Sequence, residues 1–321
     1  MRTLSLVLIA ALLAPAVGCK WMEDFKNNST KGNKSTDKIP VVTADELVNF
    51  LNTRAERLRS IEYSDTRMMV SGKGIPVTAK LDGELSAAQP RYFRMVSSGR
   101  VVSSKLLMGS NPQEFWVYLA APGEDPMYVY ASHADFESRK AKMPGGIPFE
   151  PDWVMQALGM ITYPSTNPES VETNRYSPAI QYTATPNDRD RTYMLSWTAS
   201  TPNGLVRKEV IFDADPATGT RPQVKKHILR NAKTNALIAT AEIKAAQTER
   251  IGIVKGTELP AAIQYPTHIV LQWVEPRFEM DLNLDKATLN QSIDDPVRRA
   301  LFVRPEIKGS TAVDLARYEF K

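Results

Sequence analysis

A chain of 321 residues, 42% of them apolar and 24% charged, has the composition of an ordinary globular protein, and its single cysteine excludes any internal disulfide. Forty lysines and arginines against 36 acids leave a net charge of only +4, with the signs interleaved along the chain, which excludes a nucleic-acid footprint. Three histidines beside that one cysteine leave little material for a metal centre.

The amino terminus sets the address. Arg2, an apolar run over 4–13 and the small residues Ala16, Val17 and Gly18 before Cys19 read as an export signal ending in a lipobox. The run is well short of the roughly 20 residues a spanning helix needs. Residues 1–18 are then the signal, 19–40 a lipidated Cys19 with a flexible tether, and 41–321 the folded body. Two or more acyl chains such as palmitate, at about 0.8 kcal/mol per buried methylene, hold a protein on a bilayer. Lys20 stands where sorting systems of bacterial envelopes read Asp as the signal to stay in the inner membrane, and so points to the outer membrane, facing the periplasm.

From 20 to 40 the chain is rich in Asn, Ser, Thr and Lys without periodicity, a tether that spans roughly 25 Å as a random coil. The spacing of Thr43 and Glu46 predicts a capping box, and Leu47, Phe50, Leu51, Ala55 and Leu58 then share one face of a helix over 43–59. After Ser60 the period changes to two. Val77, Ala79, Leu81 and Leu85 alternate with Thr78, Lys80, Asp82 and Glu84, and similar runs follow at 63–71, 91–96, 101–108, 115–119 and 127–130. That spacing has no room for helical crossovers, so the expectation is an antiparallel meander.

Residues 132–176 interrupt the rhythm with an apolar, irregular stretch at 143–149 and a helix over 151–160, whose Trp153, Val154, Ala157 and Leu158 form an apolar face. Strands resume at 180–185, 191–199, 205–213, 223–230, 236–246 and 268–274. After a turn at Glu275-Pro276-Arg277, Phe278, Met280, Leu282 and Leu284 alternate with Glu279, Asp281, Asn283 and Asp285. The count is about a dozen strands and two substantial helices, with 301–321 mostly coil.

The stretch Pro90-Arg91-Tyr92-Phe93-Arg94-Met95, followed by Ser110-Asn111-Pro112-Gln113-Glu114-Phe115-Trp116-Val117-Tyr118, resembles a pattern of the outer-membrane lipoprotein carrier and receptor family, the LolA/LolB-like proteins. The run from Ile147 to Trp153 with Ala157-Leu158-Gly159 is similar to bacterial lipoproteins of that broader set, and the likeness extends over 43–305. The resemblance implies a mainly β (α+β) fold: a curved antiparallel sheet forming a half-open β-barrel, with helices covering its concave side around an apolar ligand space. No functional residue of the carriers has a match here.

Chemistry is sparse. Neither a zinc-protease, a nucleophile-elbow nor a phosphate-loop motif occurs, so the expectation is no enzyme, no cofactor and no metal. Asp281, Asn283 and Asp285 imitate the start of a calcium loop, but Lys286 replaces the glycine and the strand alternation explains the spacing. Asp213 and Asp215 read as a hairpin turn, and His133, His227 and His268 as isolated histidines. The candidate ligand-lining residues are Leu81, Phe93, Trp116, Trp153, Trp197 and Trp273, with Met143, Ile147 and Phe149 as a candidate gate. The expected function is a membrane-anchored periplasmic lipoprotein that holds an acyl chain or the lipid moiety of a lipoprotein. The alternative is an envelope structural or signalling protein that binds other proteins, its interior filled by its own side chains.

Overall fold

The structure, a computed structural model, describes residues 38–72, 75–99, 104–123, 125–138, 140–141, 151–164, 180–201, 204–214, 223–253, 260–275 and 277–318. Cys19, Met143, Ile147 and Phe149 lie outside them.

Helix α1, Ala44–Arg57, begins with the expected capping box: Glu46 N–H donates to the Thr43 hydroxyl and Thr43 N–H to the Glu46 carboxylate, the latter at 2.8 Å. Acids in its first turn and arginines in its last complement the helix dipole. Its buried face is Leu47, Val48, Leu51 and Ala55, while Phe50 lies at the margin, edge-on to Phe212 with ring centres 6.1 Å apart.

Six strands follow: β1 Ser60–Gly72, β2 Ile75–Ala88, β3 Tyr92–Gly99, β4 Lys105–Ser110, β5 Glu114–Ala120 and β6 Met127–Ser132. Helices α2, His133–Glu137, and α3, Pro151–Leu158, come next. The second series is β7 Thr183–Asn187, β8 Thr192–Thr201, β9 Gly204–Asp213, β10 Gln223–Asn231, β11 Leu237–Ile253, β12 Pro260–Trp273 and β13 Phe278–Leu289. A short α4, Pro296–Ala300, and β14, Val313–Asp314, end the chain.

All fourteen strands form one open, curved sheet in the order β14-β6-β5-β4-β3-β2-β1-β13-β12-β11-β10-β9-β8-β7. Each series is a meander, and the antiparallel pairing of β1 with β13 joins the two. This is the half-open barrel expected, with one departure: β14 pairs with β6 in parallel, Val313 opposite Val129. Two residues were too few to leave a period in the sequence. Strand β11 also outruns the expected 236–246, because its residues 247–250 are exposed on both sides and carry no alternation while still pairing with β12.

Alternate side chains of the sheet turn inward under the helices. Helix α3 meets β11 and β12 and shares one core with Phe93 and Met95 of β3, Phe115 and Val117 of β5, and Met280 and Leu282 of β13. Against α1 pack Tyr193 and Leu195 of β8 and Val210 and Phe212 of β9. Helix α3 is buried on nearly every side, as an all-apolar helix must be. At its end Gly159 adopts φ +79°, and a side chain there would come within 2.6 Å of the Arg54 guanidinium carbon.

The outer face of β3 to β6 is covered by the last residues of the chain. Phe302 packs on Tyr92 with ring centres 5.4 Å apart, Asn111 donates to the Phe302 carbonyl at 3.1 Å, and the Arg304 guanidinium lies 3.5 Å from the Tyr130 ring centre. Tyr128 donates to the Pro305 carbonyl. The coil expected at the carboxy terminus is thus an ordered strap.

The curvature has a local cause. A register shift between Tyr63 and Thr66 bends β1, and Thr66, Gly83 and Ser97 lie in register across β1, β2 and β3. A Cβ on Gly83 would sit 1.9 Å from the Val96 carbonyl oxygen, so the strands approach there as only glycine permits. Gly83→Ala is expected to lose about 1–3 kcal/mol or more, because the clash is with backbone and no rotamer relieves it. Urea denaturation measures the loss; an unchanged midpoint would show that the sheet is not pinned at this corner.

Candidate functional site

Five of the six candidate lining residues face inward. Leu81, Phe93, Trp153 and Trp273 belong to the core under α3, and Trp197 to the one under α1. All are buried. Trp116 is turned the other way: its neighbours Phe115 and Val117 point into the core, so it lies on the outer face, opposite Gly109 and Tyr130. Both faces of β5 are covered, so Phe115-Trp116-Val117 is continuously apolar and its period does not tell which residue points inward.

Beside α3 lies a pocket of about 160 Å³, walled by Asp152, Gln156 and Tyr163 on one side and by Tyr182, Trp197 and Lys208 on the other. The segment after α3 is held in place by Asn52, which donates to the Tyr163 carbonyl at 2.9 Å and accepts from the Tyr163 N–H at 2.7 Å. Gln156 donates to the Tyr163 hydroxyl at 3.0 Å. The rings of Tyr163 and Tyr182 flank Trp197, with centres 5.5 and 5.4 Å away. Trp197 and Lys208 are directly opposite one another on β8 and β9, which puts the lysine on the inner face of the sheet.

Around this pocket the interior is polar in an unusual way. Seven buried side-chain polar atoms find no hydrogen-bond partner among the described residues, and four of them, Asp152 Oδ1, Trp153 Nε1, Tyr182 Oη and His227 Nδ1, lie on α3 or on the elements facing it. Each such atom costs about 1–3 kcal/mol. Arg54 is buried on the core face of α1; its Nε donates to the Gln264 carbonyl at 3.2 Å, and it has no carboxylate in ion-pair range among the described residues. Burial pulls its guanidinium down to about 10 and pushes the Tyr163 hydroxyl up to about 12. Tyr182 is raised by the same cause. His227, whose ring meets Trp153 edge-on at 6.2 Å, is lowered to about 3, first by burial and then by the charges of Arg54 and Lys208, and so stays neutral.

The other histidines form no catalytic set. His133 Nε2 lies 2.8 Å from the Asn111 carbonyl, which only accepts, so this nitrogen carries the proton and cannot act as a base toward Ser110, 3.2 Å away. His268 bonds Asp281 at 2.9 Å on the outer face. Asp285 pairs with Arg67 and Asp213 with Lys225. Among the described residues no three His, Cys, Asp or Glu converge as metal ligands would.

Arg54, Tyr163, Tyr182, Lys208 and His227 were not among the residues expected at a site. Two of them left a trace in the sequence. Arg54 falls seven residues after Leu47 and three after Leu51, on the apolar stripe, and Lys208 occupies an inward position between Val206 and Val210.

No family model and no curated protein matches the sequence. Among solved structures, the chain is similar to a putative outer membrane lipoprotein-sorting protein domain from Vibrio parahaemolyticus, at 11% identity over 81% of this chain and 98% of that one, with a TM-score of 0.45. It is also similar to a LolA superfamily protein from Nitrosomonas europaea, at 11% identity, covering 82% and 99% of the two chains, TM-score 0.40. A DUF1329 family protein from Desulfovibrio piger aligns at 11% identity over 81% of this chain and all, 100%, of that one, TM-score 0.42.

The neutral histidine has a consequence for stability. The unfolded chain takes up a proton at His227 below its ordinary value of 6.5, whereas the folded chain resists until about 3, so stability falls as the pH drops through this window. Between pH 8 and pH 5 the expected loss is about 2 kcal/mol. His133 is lowered too, again by burial, and adds in the same direction. Urea titrations at the two pH values should show the loss in the native chain and a shallower dependence in His227→Leu; identical dependence would mean that His227 protonates freely in the fold.

Proposed function

We propose that this protein is a lipid-anchored component of a bacterial envelope whose half-barrel receives the apolar chain of an amphiphile between α3 and the inner face of the sheet. The observation that carries the reading is the concentration of unpartnered buried polar atoms around α3. Two of the remaining three, Thr66 Oγ1 and Ser97 Oγ, sit together at the bend of β1 to β3, whereas the four around α3 come from three separate segments, as expected of an interface that opens onto a guest. The 160 Å³ pocket is smaller than the roughly 300–1,000 Å³ of typical ligand sites, so a whole chain enters only where α3 yields its place. About a dozen methylenes contribute near 10 kcal/mol on burial, against about 4–15 kcal/mol for association, so the chain has to be nearly enclosed. Cys19 with its acyl chains supplies the anchor in this reading, and residues 20–40 the tether. No helix among the described residues is long and apolar enough to cross a membrane.

A second reading draws on the same interior. Trp153, Met155 and Leu158 already fill the trough, which favours an envelope protein that binds other proteins and carries no lipid.

The chain starting at Lys20, produced without lipidation, is expected to bind a fluorescent fatty acid saturably and to melt at a higher temperature in its presence. Absence of both uptake and co-purified lipid by native mass spectrometry would sink the cargo reading in favour of the second. In cells, Cys19→Ala is expected to move the protein from the membrane to the soluble fraction and to end its labelling by palmitate; retention in the membrane would overturn the anchor.

A further inference from the structure

Two cations on the inner side of the half-barrel, Arg54 and Lys208, have no countercharge in ion-pair range among the described residues. Lys208 projects from the inner face of β9 into the pocket wall, and no carboxylate lies within ion-pair range of it among the described residues. Arg54 is close enough to Tyr163 on that wall for each to feel the other's charge, and among the described residues its guanidinium has only the Gln264 carbonyl as a hydrogen-bond acceptor. The acid on the wall, Asp152, gives its Oδ2 to Arg91 at 3.0 Å, which also holds Glu137 at 2.9 Å, while its Oδ1 has no partner among the described residues. Outside the trough the pattern is the reverse: buried Glu209 on the outer face of the same strand is bonded by both Arg207 and Arg230.

A guanidinium and an ammonium turned inward with no countercharge among the described residues are costly to bury, and the cost is recovered when an anion arrives. The neutral donors fit the same visitor. Tyr182 Oη is buried on the pocket wall with no partner, and Gln156 already donates to Tyr163, leaving the Tyr163 hydroxyl proton to point onward. The volume of about 160 Å³ is ample for a headgroup with a few waters and too small for its chain.

We propose that this pocket is the headgroup site for an oxyanion, carboxylate or phosphate ester, borne on an apolar chain, with Lys208 and Tyr182 as its direct donors and Arg54 as the buried positive charge behind them. The proposal rests on the chain-binding reading and narrows it to anionic amphiphiles: the head sits between α3 and β8–β9 while the tail runs beneath α3.

Calorimetry on the unlipidated chain tests it with four probes: dodecanoate, dodecyl phosphate, dodecanol and inorganic phosphate. The two anionic amphiphiles should bind about tenfold or more tightly than dodecanol, as expected for hydrogen bonds to a charged group. Lys208→Met keeps the side-chain stem and Tyr182→Phe the ring, so both should fold with unchanged or higher melting temperature. Each should weaken both anions about tenfold and leave dodecanol unaffected. Equal affinity for the anions and dodecanol would overturn the headgroup site while leaving the chain reading intact. Failure of every dodecyl probe would overturn both. Inorganic phosphate binding as tightly as dodecyl phosphate would overturn the amphiphile in favour of a free-anion site.

Discussion

Everything in this fold follows from one pairing, that of β1 with β13. It welds the first and last long strands into the middle of the sheet, and it therefore sends β6 and β7, neighbours in the chain, to the regions of its opposite edges. Helix α3 is part of the connection between them. Helix α3 lies over the inner face for that reason, and its composition agrees with the position, since a helix walled in by a sheet has no side left for water. The cover of the trough is held by side chains and has no ladder to the sheet: Asn52 clamps Tyr163, and Arg91 pairs with Asp152. Such fastenings release piecemeal, whereas a strand is released only by breaking its ladder.

Much of this was legible in the residues. The capping box at Thr43 and Glu46 and the alternation in β2, β8 and β13 are local signals, created by the same periodicities that make a helix or a half-buried strand. The pairing of β1 with β13 is not local, because residues about the length of a whole domain apart leave no shared period. The facing of Trp116 was illegible for a different reason. The carboxy-terminal strap makes the outer side of β5 as dry as the inner side, and alternation survives only where one side is wet.

The candidate site divides in the same way. Aromatic residues on apolar faces were visible as such, and Trp197 does line the pocket while Trp153 packs in the neighbouring core. The polar members were harder to see because Tyr163, Tyr182 and His227 come from segments joined only by the tertiary fold. Lys208 and Arg54 break the pattern of their own elements, and such local violations in an otherwise consistent sequence mark places where something other than stability is served. The two faces of the sheet differ accordingly. Arg67 meets Asp285 and Lys286 meets Asp65 at the surface, while the inward Arg54 and Lys208 meet no carboxylate among the described residues.

The carboxy-terminal strap bears on how the molecule is made. Phe302 and Arg304 complete the outside of β3 to β6, Leu315 joins the core on their inner side, and β13 completes β1, so the strands synthesised first are finished by residues synthesised later. A chain that emerges in order leaves Tyr92 and Tyr128 uncovered until Phe302 and Pro305 have followed them. This side of the sheet therefore closes only after residues 302–305 have been made.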